Sequence, residues 1–268
     1  MHFNPEIFFM NLSSIPEILT QVEAGVMTIT LNRLERKNSL TALMYSAMVD
    51  ALGVASQDDA VRVVVIQGHE TIFSAGNDIG DFLNQKPAAS DAPVVRFLRD
   101  ISTFPKPLVA AVSGPAVGIG TTMLLHCDLI YAGDNAAFSM PFVNLGLCPE
   151  AASSLLLPQL MGHPRAAEVL LLGEPFMAET ALEMGLINRI VPPAEVNALA
   201  QRQALKLAAK PLGALMESKR LMKKGSAAVV AACIADELVS FGRLLQEPAA
   251  KEAFSAFIDK RRPDFSGL

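Results

Sequence analysis

Cysteine is scarce and poorly placed for bridging: the three thiols, Cys127, Cys148 and Cys233, are odd in number and widely spaced. That count and spacing suit neither a disulfide framework nor a zinc site, and the expectation is three buried thiols. The four histidines, His2, His69, His126 and His163, share no metal-ligand spacing. His126 lies in the apolar run Met123-Leu124-Leu125-His126-Cys127, which suits a hydrogen-bonded core histidine, and no metal is expected. Positive charge is short as well. The 22 Lys and Arg against 27 Asp and Glu leave a formal net charge of -5 with no basic run, whereas a nucleic-acid partner calls for clustered Lys and Arg. Although 51% of the residues are hydrophobic, the uninterrupted apolar runs, such as 227–235, fall well short of the ~18 residues of a membrane span. The first residues, with Glu6 and no early Lys or Arg, lack a charged signal-like start. The ending Ser266-Gly267-Leu268 is not a Ser-Lys-Leu address. The expectation is a cytoplasmic protein with no membrane and no nucleic-acid partner, acting on a small molecule and burying its apolar excess between subunits.

What is present is an alternation of strand and helix signals. Residues 26–31 and 61–67 are β-branched runs, and 39–55 between them has helical apolar spacing with Ser39 or Thr41 as cap. Residues 108–113 and 128–132 add two more strands, giving an α/β core with largely parallel pairing. From residue 153 the pattern turns helical, over 153–161, 165–172, 178–184, 195–209 and 212–223, punctuated by Gly162, Gly173, Gly185 and Pro211 and interrupted by one strand at 187–191. Two amphipathic helices, 227–246 and 248–260, close the chain, which at 268 residues suits one large domain or one domain plus an appendage.

Chemistry concentrates in two small-residue loops. Ser113-Gly114-Pro115-Ala116-Val117-Gly118-Ile119-Gly120 joins an apolar strand to a helix-like run, where backbone N–H groups collect. The spacing Gly114-x3-Gly118-x-Gly120 is neither the dinucleotide fingerprint nor a P-loop, so a phosphate cradle, a ligand-free turn and an anion-stabilising site all stay open. Phe73-Ser74-Ala75-Gly76-Asn77-Asp78-Ile79 follows the strand 61–67 in the same way, with an Asx turn at Asn77-Asp78 as the alternative. Two such loops after neighbouring strands open on one end of a sheet, where ligands bind in open α/β folds. One N–H from each, converging on a point, makes a hole for a carbonyl oxygen that gains charge during reaction.

These segments together resemble the crotonase family, the enoyl-CoA hydratase and isomerase superfamily, over nearly the whole chain. The motifs that carry the resemblance are Leu31-Asn32-Arg33, Lys37-Asn38-Ser39-Leu40, the two glycine loops, Lys106-Pro107, Cys127-Asp128-Leu129, Ala137-Phe138, the ending Lys260-Arg261-Arg262-Pro263-Asp264-Phe265, and Ala-x4-Gly-Leu-Ile within 178–187. The resemblance implies a ββα spiral core, taken here as 1–205, and a C-terminal helical trimerisation region, 206–268. It implies a homotrimer or dimer of trimers, coenzyme A thioesters as substrates and no further cofactor. It also implies an oxyanion hole from the N–H groups of Asn77 and Ile119, with Gly118 as the neighbouring alternative. Coenzyme A would lie across Lys37 and Ala75, Gly76, Asp78 and Ile79, with Phe257 and Lys260 reaching its phosphates or adenine. Phe142, Leu145, Leu147 and Leu155 would wall the acyl pocket.

The departures are informative. Where the family's hydratases carry two glutamates, this sequence has Thr122 and Phe142, and water addition needs acid and base groups. One acid, Glu150 in Leu147-Cys148-Pro149-Glu150-Ala151-Ala152-Ser153-Ser154, stands where the Δ3,Δ2-enoyl-CoA isomerases of the peroxisomal type place their base. The implied catalytic residue is Glu150, which removes a proton from C2 and returns it to C4. A glutamate after a proline at a helix start is also a common dipole-stabilising placement. Lys106, before Pro107 and a strand, is a lesser candidate site residue, with a solvated edge lysine as its ordinary reading. Alternatives to isomerisation are hydration, hydrolysis by a serine (Ser113, Ser153 or Ser154, with no identified His partner) and acyl-CoA binding without turnover.

Overall fold

The computed structural model describes residues 15–84 and 91–268. It opens with the antiparallel hairpin β1 (Ile18–Glu23) and β2 (Val26–Leu31). Helix α1 (Ala42–Gln57) follows, and the Thr41 hydroxyl accepts from Met44 N–H at 3.3 Å to cap it. Next come β3 (Val63–Gln67), the short α2 (Ile79–Asn84), α3 (Pro93–Thr103) and β4 (Leu108–Val112). A compact stretch then holds β5 (Pro115–Val117), α4 (Ile119–Thr122), a 3-10 turn Met123–His126, β6 (Leu129–Gly133), β7 (Ala137–Ser139) and a 3-10 turn Val143–Leu145. The helical half runs through α5 (Ser153–Met161), α6 (His163–Ala167), a π-helical turn Glu168–Leu172, β8 (Phe176–Met177), α7 (Ala178–Glu183) and β9 (Arg189–Val191). It ends with α8 (Pro193–Ala208), α9 (Leu212–Lys224), α10 (Ala227–Leu244) and α11 (Pro248–Ile258).

Six strands form one sheet in the order β1-β2-β3-β4-β6-β9, parallel throughout except for the β1–β2 edge. The runs Val-Val-Val-Ile in β3 and Leu-Val-Ala-Ala-Val in β4 read as continuously apolar because both faces are covered. Val64, Ile66, Leu108 and Ala110 face the main core with Met44, Met48, Phe97 and Ile101. Val63, Val65, Val109 and Ala111 face α8 through Val196, Leu199 and Ala200. A second, three-stranded sheet in the order β5-β7-β8 stands beside the first. This is the expected α/β class with a helical C-terminal region. The expected division at 205/206 falls within α8, whose Ala204 and Ala208 still pack on the sheet.

Several expectations are corrected. The hairpin strand β1, the helix α3 and the second sheet go beyond the sequence reading. Lys106 is no solvated edge residue: it is 1% exposed, and its Nζ donates to the carbonyls of Ala55, Asp58 and Val61 at 2.7, 2.8 and 2.8 Å. It thereby closes the C-terminal end of α1, where carbonyls lack helical partners. The three thiols are free and half-buried rather than buried. Lys219 of α9 reaches under the sheet to Lys106 O at 2.8 Å and to Asp128 Oδ2 at 2.7 Å. No helix among the described residues is long and apolar enough to cross a membrane.

Candidate active site

Strands β3 and β4 pair in parallel, from Val64 opposite Leu108 to Gln67 opposite Ala111, so the two glycine loops leave the sheet by the same edge. They then meet as a parallel bridge between Ser74 and Ala116, with Ser74 N–H donating to Pro115 O at 3.1 Å and Val117 N–H to Ser74 O at 2.9 Å. Asn77 and Ile119 each stand three residues beyond that bridged pair. Each follows a glycine with positive φ, Gly76 at 86° and Gly118 at 55°. A side chain is strained at either place, and at Gly76 a Cβ would lie 2.9 Å from Val117 O.

Neither Asn77 N–H nor Ile119 N–H donates to a backbone acceptor among the described residues. Leu40 N–H bonds Gly76 O and Asp78 N–H bonds Leu40 O, so the bridge to Leu40 passes on either side of Asn77 N–H. Ile119 opens α4, where an N–H has no intrahelical acceptor. Gly118 N–H, the neighbouring alternative, donates to Ser139 O at 2.8 Å.

The first loop is locked from the N-terminal side. Asn38 is fully buried at positive φ; its Nδ2 donates to Phe73 O at 3.1 Å, and its Oδ1 accepts from Arg33 N–H at 2.7 Å. Ser74 Oγ donates to Asn38 O at 2.8 Å, and Ala75 N–H to Lys37 O at 2.9 Å, which sets exposed Lys37 beside Ala75 and Gly76. Asp78 forms an ion pair with Arg33 at 2.8 Å and accepts from Asp81 N–H at 3.0 Å, so it starts α2. Partial burial pushes the Asp78 carboxyl up, but bonds from Arg33, Asp81 N–H and Ser39 outweigh it and hold the group below its ordinary range.

Glu150 is 6% exposed, and Thr122 Oγ1 donates a short hydrogen bond to its Oε1. Burial raises its pKa to about 8; the Thr122 hydroxyl opposes this and the nearby Glu237 charge adds to it. Its carboxyl therefore exchanges a proton near neutrality, as a general acid and base must. The segment that follows is strained: Ala151 and Ala152 both have positive φ, 61° and 57°. Glu150 itself precedes α5 by this two-residue turn, so it is not in the helix's first turn and the dipole placement does not describe it.

Tyr45 of α1, which the sequence reading did not single out, meets the first loop. It is 2% exposed, its OH donates to Asn77 Oδ1 at 2.5 Å, and its charge coupling to Glu150 marks the two as neighbours. Phe142 is buried, with its Cε1 4.0 Å from where a Gly118 Cβ would sit and its ring edge-on to Phe241. Leu147 is buried; Leu145 and Leu155 are half-buried against the same core. Ala75 and Ile79 are half-buried and Gly76 buried on the locked loop. Phe257 and Lys260 are exposed near the end of α11, whose first turn packs on Gly146 through Ala249 and Ala250, and neither shares a hydrogen bond with the loops. A serine nucleophile finds no support. Ser153 Oγ donates to Glu150 O, Ser154 Oγ to Glu237, and His126 is buried with Nε2 2.9 Å from Ala151 O. Burial holds the His126 pKa down to about 4.

Residues 21–267 match the family model for enoyl-CoA hydratase/isomerase. The chain belongs to that family. It is 39% identical over 213 residues to rat enoyl-CoA delta isomerase 2, covering 77% of this chain and 54% of the rat protein, so the chain spans about half the length of that relative. It is also 32% identical to the 2,3-dehydroadipyl-CoA hydratase of Escherichia coli strain K12, over 94% of this chain and 99% of that protein. The solved structure of Pseudomonas aeruginosa OdaA is 48% identical, with a TM-score of 0.89, over 91% of this chain and 99% of that one. Within the enoyl-CoA hydratase/isomerase family both reaction types are thus near relatives. Beside the paired loops of this chain, the Thr122 hydroxyl is bonded to the carboxyl of Glu150.

Proposed function

We propose that this protein is an enoyl-CoA isomerase, moving a double bond of an acyl-CoA from the 3 to the 2 position. The reading is carried by one observation: the buried carboxyl of Glu150 is bonded to Thr122, where the resemblance places a hydratase glutamate. The Glu150 carboxylate takes the C2 proton, and the C–H electron pair moves into the thioester to leave a dienolate. Its charge rests on the oxygen between Asn77 N–H and Ile119 N–H. The electrons then return to form the C2=C3 bond while C4 takes the proton from Glu150. Shuttling one proton needs one acid and base in an apolar pocket, and Phe142, Leu145, Leu147 and Leu155 supply apolar walls. Coenzyme A lies along Lys37, Ala75, Gly76, Asp78 and Ile79 in this reading, with Phe257 and Lys260 as outer contacts and no separate cofactor.

The same reading assigns a homotrimer or dimer of trimers in the cytoplasm, supported by large apolar side chains exposed on the C-terminal helices, among them Met222 (75%), Val239 (74%) and Ile258 (62%). Conjugation of 3-hexenoyl-CoA, followed by absorbance, tests the activity. The wild type should isomerise it, and Glu150→Gln should lose about a thousandfold in kcat with little change in KM. Turnover by that variant at the wild-type rate removes Glu150 from its role. Hydration of crotonyl-CoA as fast as isomerisation assigns the protein to the hydratases instead, and thioester binding without turnover makes it a binder.

A further inference from the structure

Glu237 is a buried carboxyl that the proton shuttle does not use. It sits in the middle of α10, 7% exposed, yet it faces away from its own helix's ends and toward the start of another. Its Oε2 accepts from Ala152 N–H at 2.6 Å; its Oε1 accepts from Ser154 N–H at 3.0 Å and from the Ser154 hydroxyl. Helix α5 has Ala152 at its N-cap, a residue with no side-chain acceptor, so the carboxylate from α10 does the capping that the local sequence does not. The turn it grips is the strained pair Ala151 and Ala152, immediately after Glu150. From the other side Ser153 N–H and Ser153 Oγ bond Glu150 O at 3.0 and 2.6 Å, and His126 Nε2 bonds Ala151 O.

The geometry points to Glu237 as the positioning residue for Glu150: from α10 it holds the left-handed turn that sets the carboxyl against Thr122. The inference rests on Glu150 being the acid and base of the reaction. It has a second consequence, because Glu237 is also a negative charge beside that group and favours its protonated form. The other titratable or charged groups facing Glu150 are Tyr45 from α1, Cys148 from its own loop and His126 behind Ala151, with Arg243, further along α10, acting on Cys148.

The test is the pH profile of kcat/KM for 3-hexenoyl-CoA in Glu237→Gln and Ser154→Ala. With the charge removed, Glu237→Gln should move the acidic limb to lower pH while its high-pH plateau falls about tenfold, in kcat rather than KM. Ser154→Ala keeps the charge and drops one bond, so its limb should stay in place while its plateau falls about threefold. Should Glu237→Gln not fold, Glu237→Asp takes its place, with an unmoved limb and a lowered plateau expected. A folded Glu237→Gln with unchanged limb and plateau overturns the inference, as does an Asp variant and a Ser154→Ala both equal to wild type. Glu150→Gln in parallel separates the two ideas. If that variant is fully active, the reading of Glu150 fails; if it is inactive while the Glu237 variants are normal, only the positioning role fails.

Discussion

At the scale of single residues, the acidity of Glu150 is set by opposing neighbours. Burial and Glu237 raise it, Thr122 lowers it, and the balance lies at about 8. A base works ionised, so kcat/KM should climb as pH rises and level off above about 8. Thr122→Val removes the bond that favours the carboxylate, and its limb should shift up by about one pH unit. A limb that stays in place excludes Thr122 from this role. Stability follows the sign of the same shift. The folded-state pKa lies above the unfolded value, so the neutral carboxyl is favoured below the unfolded pKa and burial costs stability as pH rises toward about 8. Part of this site was legible from residue types in order. The loop glycines Gly76 and Gly118 declare themselves because backbone conformation is a local property, whereas the roles of Asn77, Ile119 and Glu150 came only from the family resemblance. Tyr45 and Glu237 do not declare themselves, since a tyrosine on a buried helix face and a glutamate in an amphipathic helix acquire meaning only from what another element brings against them.

At the scale of elements, helix ends decide much of the architecture. The Thr41 cap was readable because its acceptor lies three residues from its donor. The other end of α1 was not readable, because its carbonyl partner, Lys106, is 51 residues from Ala55 in sequence. Lys106→Met keeps the stem volume but removes the donor from three carbonyls, of which Asp58 O keeps another in Val61 N–H, and it should cost about 2–4 kcal/mol in denaturant unfolding. A loss under about 0.5 kcal/mol is what a solvated lysine gives. Helix α3 carried a readable signal, with Val94, Phe97, Leu98 and Ile101 at helical spacing and three of them buried. β1 was harder, as only Ile18 and Thr20 of its six residues are buried on an edge strand.

On the scale of the whole molecule, α9 is tied to the core by the Lys219 to Asp128 ion pair, while neighbouring Met222 stays 75% exposed. Light scattering should give a mass about three or six times that of one chain. Met222→Asp with Val239→Asp should reduce it without altering the far-UV circular dichroism; an unchanged assembly, or a single-chain wild type, refutes the assignment of these faces. The Ser74–Ala116 bridge and the buried Asn38 fix the two glycine loops through the N-terminal half of the fold, whereas Glu150 arrives on a segment held by α5 and α10. In the proposed reaction the groups that hold the thioester oxygen and the group that moves its proton therefore rest on different supports, which meet at the bond from Thr122 of α4 to Glu150. Under that proposal, variation confined to Phe142 and the 147–154 segment would redirect the proton while the hold on the thioester oxygen stays the same.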